Sequence, residues 1–390
     1  MMQLTYKQRF GVSRMENLTQ IRRQFPVTKN KVYLNHAAQS PLPKPVAETV
    51  KKHIDKASRF GQVSVEPEDL GKQHFAKLVG AKPAEIALIE STSMGLNMAA
   101  NVLRYPPGSK VVTTDLECPS VVYPWLRKGL GAKIHYVKNV NGRVSLDDME
   151  NAVDDKTVAV AISHVAYANG FRHNLRVLSE IVHEHGAYLV VDAIQSVGTM
   201  PIDVVRDDVD FFMAAGYKWL LSPPGAAYLY VKDELIGKLE PSFVGWASVD
   251  QGMYETADFY DIWNLNLSKT ASRFEVGSPS TMSFVGAAEA MKMLLGVGTD
   301  KVKTRIMKLT DHVIDSAKNL GLELQTPEEK SCRSGIVNFR TSKPLKLVER
   351  LGRKKIIVSA RAQGIRVSPH YYNSEEEIDK LMEEVRKAEA

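Results

Sequence analysis

Two ionisable residues close apolar runs whose composition has no use for them. Asp192 ends AYLVVD (Ala187 to Asp192), and Lys218 follows VDFFMAAG (Val209 to Gly216) by two residues. Both runs read as buried strands. Charges are rarely buried without a partner, and open α/β sheets carry their chemistry at the carboxyl ends of strands. An aspartate and a lysine at two such ends suit a site that pairs with a cationic ring nitrogen and forms an imine. Pyridoxal phosphate makes both demands. Taken singly, each residue also has a plainer reading. A lysine at a strand end can snorkel to solvent, and an aspartate there can cap a loop.

A third feature lies upstream. Ser91-Thr92-Ser93-Met94-Gly95 sits between a strand-like run and a helical one. Backbone N–H groups at a helix N-terminus bind phosphate, while the hydroxyls of Thr92 and Ser93 can equally well only cap the helix.

The stretches VDAIQSVGTMPIDV and GYKWLLSPPGAAYLYV resemble the core signature of the class V aminotransferase family of fold-type I pyridoxal-phosphate enzymes. That family includes cysteine desulfurases, kynureninases and isopenicillin N epimerase. The resemblance runs from about Tyr33 to the end of the chain. It implies that Lys218 carries the cofactor as a Schiff base, that Asp192 pairs with the pyridine nitrogen, and that Gln195 faces the ring hydroxyl. The Thr92, Ser93 and Met94 turn resembles the family's phosphate turn, with Met94 in place of its usual glutamate. Tyr217 stands where kynureninases bind phosphate through a tyrosine, and Ala215 where many members carry a phosphate-binding serine. In TTDLECPSVVYPW, Cys118 occupies the place of the aromatic residue that usually stacks on the ring, and a thiol is a small soft contact there.

RFEVGSPST is similar to a segment that reaches the neighbouring subunit's phosphate, which implies Ser278 as the reaching hydroxyl and a homodimer with shared sites. Read bare, GSP is a turn. RAQGIRVSPHYYNSEEEID is similar to the stretch whose arginine holds the substrate carboxylate, implying Arg366. A guanidinium suits that bidentate task. Arg361 can assist it or be a surface charge, and the surface reading is preferred. His36 and Ala37, in LNHAAQSPLP, resemble a loop lining the substrate pocket, although His36 can also be a satisfied turn histidine. Tyr167 replaces the asparagine that follows His164 in desulfurases and is expected on the ring-oxygen side. His183 and His185, two apart on a helix, point to different faces and read as solvated. No metal site is expected.

Around these residues, strands and helices alternate. EIALIES, Lys110 to Thr114, AKIHYV, TVAVAIS, AYLVVD, VDFFMAAG and GAAYLYV read as strands, with helical patterns between many of them. Such alternation predicts an α/β fold, with a mostly parallel seven-stranded sheet between helices. Residues 1–46 read as an N-terminal extension and substrate-pocket loop, polar and partly helical up to about residue 30. Residues 47–284 read as a large cofactor-binding domain. Residues 285–390 read as a smaller α+β domain with strands at LELQT, GIVNFR, IIVSA and IRVSP.

The 390 residues are ordinary for a water-soluble chain, with 44% apolar and 25% charged. Two cysteines make a disulfide framework unexpected and fit a reducing, cytoplasmic setting. The basic N-terminus lacks an apolar core, so no secretory signal is read, and no apolar run is long enough for a membrane span. A net charge of +6 without a Lys/Arg cluster gives no reason to expect a nucleic-acid partner.

The functional expectation is a pyridoxal-phosphate enzyme acting at the α-carbon of an amino acid, by transamination. Epimerisation, and β-elimination of the cysteine or selenocysteine lyase type, stay open on the same residues. Persulfide desulfuration is disfavoured, because SARAQGI between Val358 and Arg366 is short and has no cysteine. A nicotinamide-dependent oxidoreductase lacks its G-x-G-x-x-G, and a scaffold without catalysis has no need of Lys218.

Overall fold

The computed structural model describes residues 18–61, 66–250 and 262–389. In chain order the elements begin with α1 (Leu18–Arg23), β1 (Val32–Tyr33), α2 (Lys44–Phe60), α3 (Glu66–Val79), β2 (Ile86–Ile89), α4 (Thr92–Val102), β3 (Lys110–Thr114) and α5 (Pro119–Leu126). They continue with β4 (Lys133–Val137), α6 (Leu146–Ala152), β5 (Thr157–Ser163), α7 (Leu175–Glu184), β6 (Tyr188–Asp192), β7 (Phe211–Ala215), β8 (Ala227–Val231) and α8 (Asp233–Ile236). After α9 (Thr281–Val297) and α10 (Thr299–Asn319) come β9 (Val337–Arg340), α11 (Pro344–Arg353), β10 (Ile356–Ile357), β11 (Ser359–Arg361), β12 (Gly364–Val367) and α12 (Glu375–Glu389).

Seven strands form one sheet in the order β2-β8-β7-β6-β5-β3-β4. β8 is antiparallel to both of its neighbours, and the other pairings are parallel. β8 therefore runs against the rest, and the carboxyl ends of β2, β3, β5, β6 and β7 share one edge. Every residue of β6 after Tyr188, and all of β7 and β8, is buried. Strands covered on both faces have no use for alternation, so they read as continuous apolar runs. The edge strand β4 keeps most of its residues accessible. On α7, Leu175, Leu178 and Val182 are buried, the one-sided spacing of a helix lying on a sheet.

The N-terminus of α4 is held at the sheet edge by two devices. The Ser91 side chain accepts the Met94 N–H at 3.1 Å, an N-cap. Gly95 lets the helix approach the sheet, since a Cβ there would lie 2.8 Å from Ile89 Cδ1 and 3.1 Å from Met213 Cβ.

A second, antiparallel sheet has the order β11-β12-β9. Arg361 pairs with Gly364, so Ala362 and Gln363 alone form the hairpin turn, at φ 47° and 61°. Two successive left-handed residues make the tight turn whose twist matches paired strands. Gly364 is required by crowding, because a Cβ would meet the Phe339 carbonyl at 2.4 Å.

Several expectations are corrected here. The described part of the N-terminal extension is docked, not apart from the fold: Arg22 holds Glu377 on α12 through two bonds of 2.8 and 2.9 Å, and buried Phe25 stacks on Tyr372. Residues 1–17 lie outside the described residues. LELQT forms no regular strand, although it meets β9 at the Leu324–Phe339 bridge, and the Arg340 N–H donates to the Glu323 carbonyl at 2.8 Å and the Gln325 N–H to the Asn338 carbonyl at 2.9 Å. The segment SVVYPWLRKGL is α-helical only to Leu126, with a 3₁₀ turn at Lys128–Leu130 after it; Pro124 lies inside the α-helix, where it withdraws an N–H and helps end it. Helix α3 was not read from the sequence.

Candidate active site

Asp192 and Lys218 line one cavity of about 320 Å³ at the carboxyl edge of the large sheet. Asp192 is the last residue of β6, level with Ser163 on β5 and Met213 on β7. Its carboxyl is buried and accepts the Ile194 N–H at 2.9 Å. Burial pushes its pKa up to about 6, against the Ile194 hydrogen bond and the Lys218 charge. Lys218 lies beyond β7, its Nζ 5.8 Å from the centre of the Tyr217 ring. Desolvation lowers its pKa and the Arg366 and Arg361 charges add to that, while Asp192 opposes it.

The peptide carrying Lys218 is clamped from a distant part of the chain. The Ser40 N–H donates to the Tyr217 carbonyl at 2.9 Å, and the Ser40 hydroxyl donates to the Lys218 carbonyl. Gln195 is also braced, donating to the Ala37 carbonyl at 2.9 Å and accepting from Trp219 Nε1 at 2.8 Å. Its second amide hydrogen is left for the cavity that it lines.

Thr92 and Ser93 line the cavity at the start of α4, where the first-turn N–H groups have no intrahelical acceptor. The Thr92 hydroxyl accepts the Ala215 N–H at 2.9 Å, tying α4 to the end of β7. Ser93 meets Ser120 at 3.0 Å. Tyr217, Cys118, Ala37 and Tyr167 also line the cavity.

Arg366 comes from β12. Its guanidinium is buried, donates to the Tyr167 carbonyl at 2.7 Å, and leaves Nε without a partner. Burial, with the Arg361 charge, lowers its pKa to about 10.

Two expected contacts, Met94 and His36, fall elsewhere, and Ser278 is expected only at a partner's site. Met94 is exposed on α4 and is not a lining residue, its N–H already taken by Ser91. His36 is buried outside the cavity, its ring bonded to the Ser368 carbonyl at 2.9 Å and the Tyr372 hydroxyl at 2.8 Å. It serves as a brace, and desolvation holds its pKa well below the usual range. Ser278 is exposed and does not line this chain's own cavity. Arg361 is exposed, as expected of a surface charge, and also stands in the cavity wall. His183 is partly exposed but also paired. It bridges Asp208 at 3.1 Å and Asp210 at 2.8 Å, which raises its pKa.

Sequence reasoning gave no role to Glu117. Its carboxylate accepts the Ser163 N–H at 2.9 and 3.0 Å, the Ser163 hydroxyl at 2.6 Å and the Thr114 hydroxyl at 3.2 Å. Burial, with the Asp192 charge adding to it, pushes its pKa up to about 7. The available signal was an acid between Leu116 and Cys118 just past a strand end.

Together the residues offer a buried carboxylate for a cationic nitrogen, an amine of lowered pKa, and hydroxyls with free N–H groups at a helix start for an anion. That donor set fits pyridoxal phosphate. Among the described residues no group of three or more His, Cys, Asp or Glu is placed to hold a metal ion, and no helix is long and apolar enough to cross a membrane. A second groove, of about 460 Å³, mixes Lys31, Lys355 and Lys380 with Glu376, Glu383 and Glu384 and holds none of these residues.

Comparison with known proteins places the chain in context. The aminotransferase class-V family model matches residues 32–381. An uncharacterized aminotransferase of Bacillus subtilis, YcbU, is 30% identical over 95% of this chain and 98% of its own. The apo structure of a cysteine desulfurase from Thermococcus onnurineus superposes with a TM-score of 0.88 at 25% identity, over 97% of this chain and 99% of that one. A probable cysteine desulfurase of Pyrococcus abyssi is 28% identical over 93% of this chain and 95% of its own.

Proposed function

Because the chain belongs to the class V aminotransferase family, whose members depend on pyridoxal phosphate, we propose that it transaminates an amino acid, with Lys218 as the cofactor-bearing lysine. The observation that carries this reading is the convergence of Lys218 and Asp192 on one cavity at the ends of neighbouring parallel strands. Pyridoxal phosphate, when bound, supplies an aldehyde for amine exchange and a ring that draws electrons from the α-carbon.

The residues then divide the work. Asp192 holds a proton on the ring nitrogen, where an adjacent cation restores the ionisation that burial opposes. Lys218, its pKa lowered by burial, gives up its proton more readily than a solvated lysine; it would bear the cofactor and, when free, would be the group to take the α-proton. Arg366 receives the α-carboxylate in its fork. Thr92, Ser93 and Tyr217 would hold the phosphate, Cys118 would offer the ring a soft contact, and Gln195 would give its remaining N–H to the ring hydroxyl.

Ser278 serves the partner's phosphate in a homodimer. Ala215 has no hydroxyl to give, so a donor from across the interface completes the cradle. Mixing inactive Lys218→Ala and Ser278→Tyr chains should restore part of the activity, since one heterodimer site carries neither lesion. No rescue despite proven subunit exchange removes the shared site.

A sulfur-carrying reaction is disfavoured. The β11–β12 turn has two residues and no cysteine. Cys332 does not line the cavity, and its thiol faces the Glu329 carbonyl at 3.5 Å. Elimination that releases sulfur without a protein persulfide is the second reading, supported by the cysteine desulfurase relatives.

The test is spectroscopic, then chemical. Purified protein with pyridoxal phosphate should absorb in the visible, and borohydride should fix the cofactor's mass on the peptide containing Lys218. A 2-oxo acid should form beyond one per site only when an amino acceptor is present. Cofactor fixed elsewhere ends the Lys218 assignment. Oxo acid and ammonia formed without an acceptor would establish elimination instead.

A further inference from the structure

The cavity wall holds three basic groups, Lys218, Arg361 and Arg366, and one acidic group, Asp192. On the reading above, Asp192 answers the ring nitrogen, Arg366 answers the α-carboxylate, and hydroxyls at the start of α4 answer the phosphate. Arg361, exposed at the mouth of the cavity whereas Arg366 is buried, is left over. Among the described residues neither arginine has an ion-pair partner, and the one hydrogen bond from the Arg361 guanidinium goes to its neighbour's carbonyl, Ala360, at 2.7 Å.

Register puts the two arginines together. Ser359 pairs with Arg366, and Arg361 lies two residues along from Ser359. Directly paired residues share a face, as do residues two apart. Arg361 and Arg366 therefore project from the same face of the hairpin as diagonal neighbours, roughly 7–8 Å apart at the backbone. Arg361 helps to lower the pKa of Arg366, and both help to lower that of Lys218. The turn between them keeps Ala362 and Gln363 in the left-handed region, uncommon for residues with a side chain. Two like charges on a tight hairpin, aimed at one cavity without a counter-charge, are balanced when a ligand brings two anionic groups.

We propose that Arg361 makes this site selective for amino acids with an anionic side chain, an inference that rests on the α-carbon chemistry proposed above. Arg366 takes the α-carboxylate and Arg361 the distal anion. Glutamate and aspartate are the simplest such substrates, and a phosphorylated side chain presents the same chemistry.

The experiment compares the holoenzyme's kcat/KM on L-glutamate, L-aspartate and O-phospho-L-serine with that on L-glutamine and L-alanine. Glutamate should exceed its neutral isostere glutamine by about tenfold or more, the worth of one charge-assisted hydrogen bond. Arg361→Ala should collapse that ratio, Arg361→Lys should retain part of it, and the best of the three anionic substrates identifies the distal group. Calorimetry of glutarate against butyrate gives a readout without turnover: glutarate should bind more tightly, and Arg361→Ala should remove the difference. Equal use of glutamate and glutamine, a ratio unmoved by Arg361→Ala, or a loss confined to cofactor retention would overturn the inference. Absence of turnover with every amino acid would count against the α-carbon reading, and the glutarate titration would still decide on Arg361.

Discussion

The carboxyl edge of the large sheet and the β11–β12 hairpin supply one cavity by opposite means. At the sheet edge, Asp192 and Lys218 sit at the ends of neighbouring strands, and each charge favours the other. The hairpin brings Arg361 and Arg366, like charges with no protein counter-ion among the described residues, from a separate sheet. A wall whose charges answer one another can hold a resident group through every turnover. A wall left unbalanced invites a ligand that comes and goes. On this comparison, lesions at the sheet edge lower kcat, and lesions at the hairpin raise KM.

The sharpest way to break that division is Lys218→Ala. Loss of both the covalent anchor and the proton carrier should reduce kcat by about 10⁴-fold or more, while circular dichroism stays that of the parent. Retained turnover would remove Lys218 from the chemistry. Asp192→Asn comes next, with kcat expected to fall by roughly 10²–10³-fold, as when a preorganised electrostatic group is lost. A change confined to KM would put Asp192 on the hairpin's side of the comparison.

Arg366→Lys tests the hairpin. Exchanging a fork for a point charge should raise KM for the amino acid by about tenfold and alter kcat less, measured by steady-state kinetics. An equal loss in kcat would make Arg366 part of the catalytic step. The smallest effect concerns Glu117 in cofactor-free protein. Its carboxyl shifts from an ordinary 4.5 to about 7 on folding. Between those values the folded protein holds a proton that the unfolded chain releases. The fold therefore loses stability as pH rises through that window, and the penalty is complete above it. Asp192 acts in the same sense, from 3.8 to about 6. Glu117→Gln should make the fall of melting temperature with pH shallower, and an unchanged slope would show that Glu117 is ionised throughout.

Much of the sheet was legible because its signals are local. A buried strand announces itself within five or six residues, and Asp192 and Lys218 each lie within two residues of such a run. The starting turn of α4 carries its own cap in Ser91. Less legible was anything set by two distant segments. His36 looked like a pocket residue because its neighbour Ala37 is one, yet its ring is spent on Ser368 and Tyr372, more than 330 positions away. Arg361 is exposed, as a charged residue beside a turn usually is, but nothing local to it showed that it also borders the cavity.

By itself the sequence determined the alternation of strands and helices, the strand ends that carry an acid and an amine, and the absence of a cysteine between Val358 and Arg366. These follow from side-chain periodicity and covalent neighbourhood, which need no third dimension. Only the tertiary structure decided that Ser40 clamps the Lys218 peptide across 178 positions and that Glu117 finds Ser163 across 46. It alone turned Arg361 and Arg366 to the same side of a hairpin. Such pairings come from strand register and packing, and the energy that selects them belongs to contacts no local window of the chain contains.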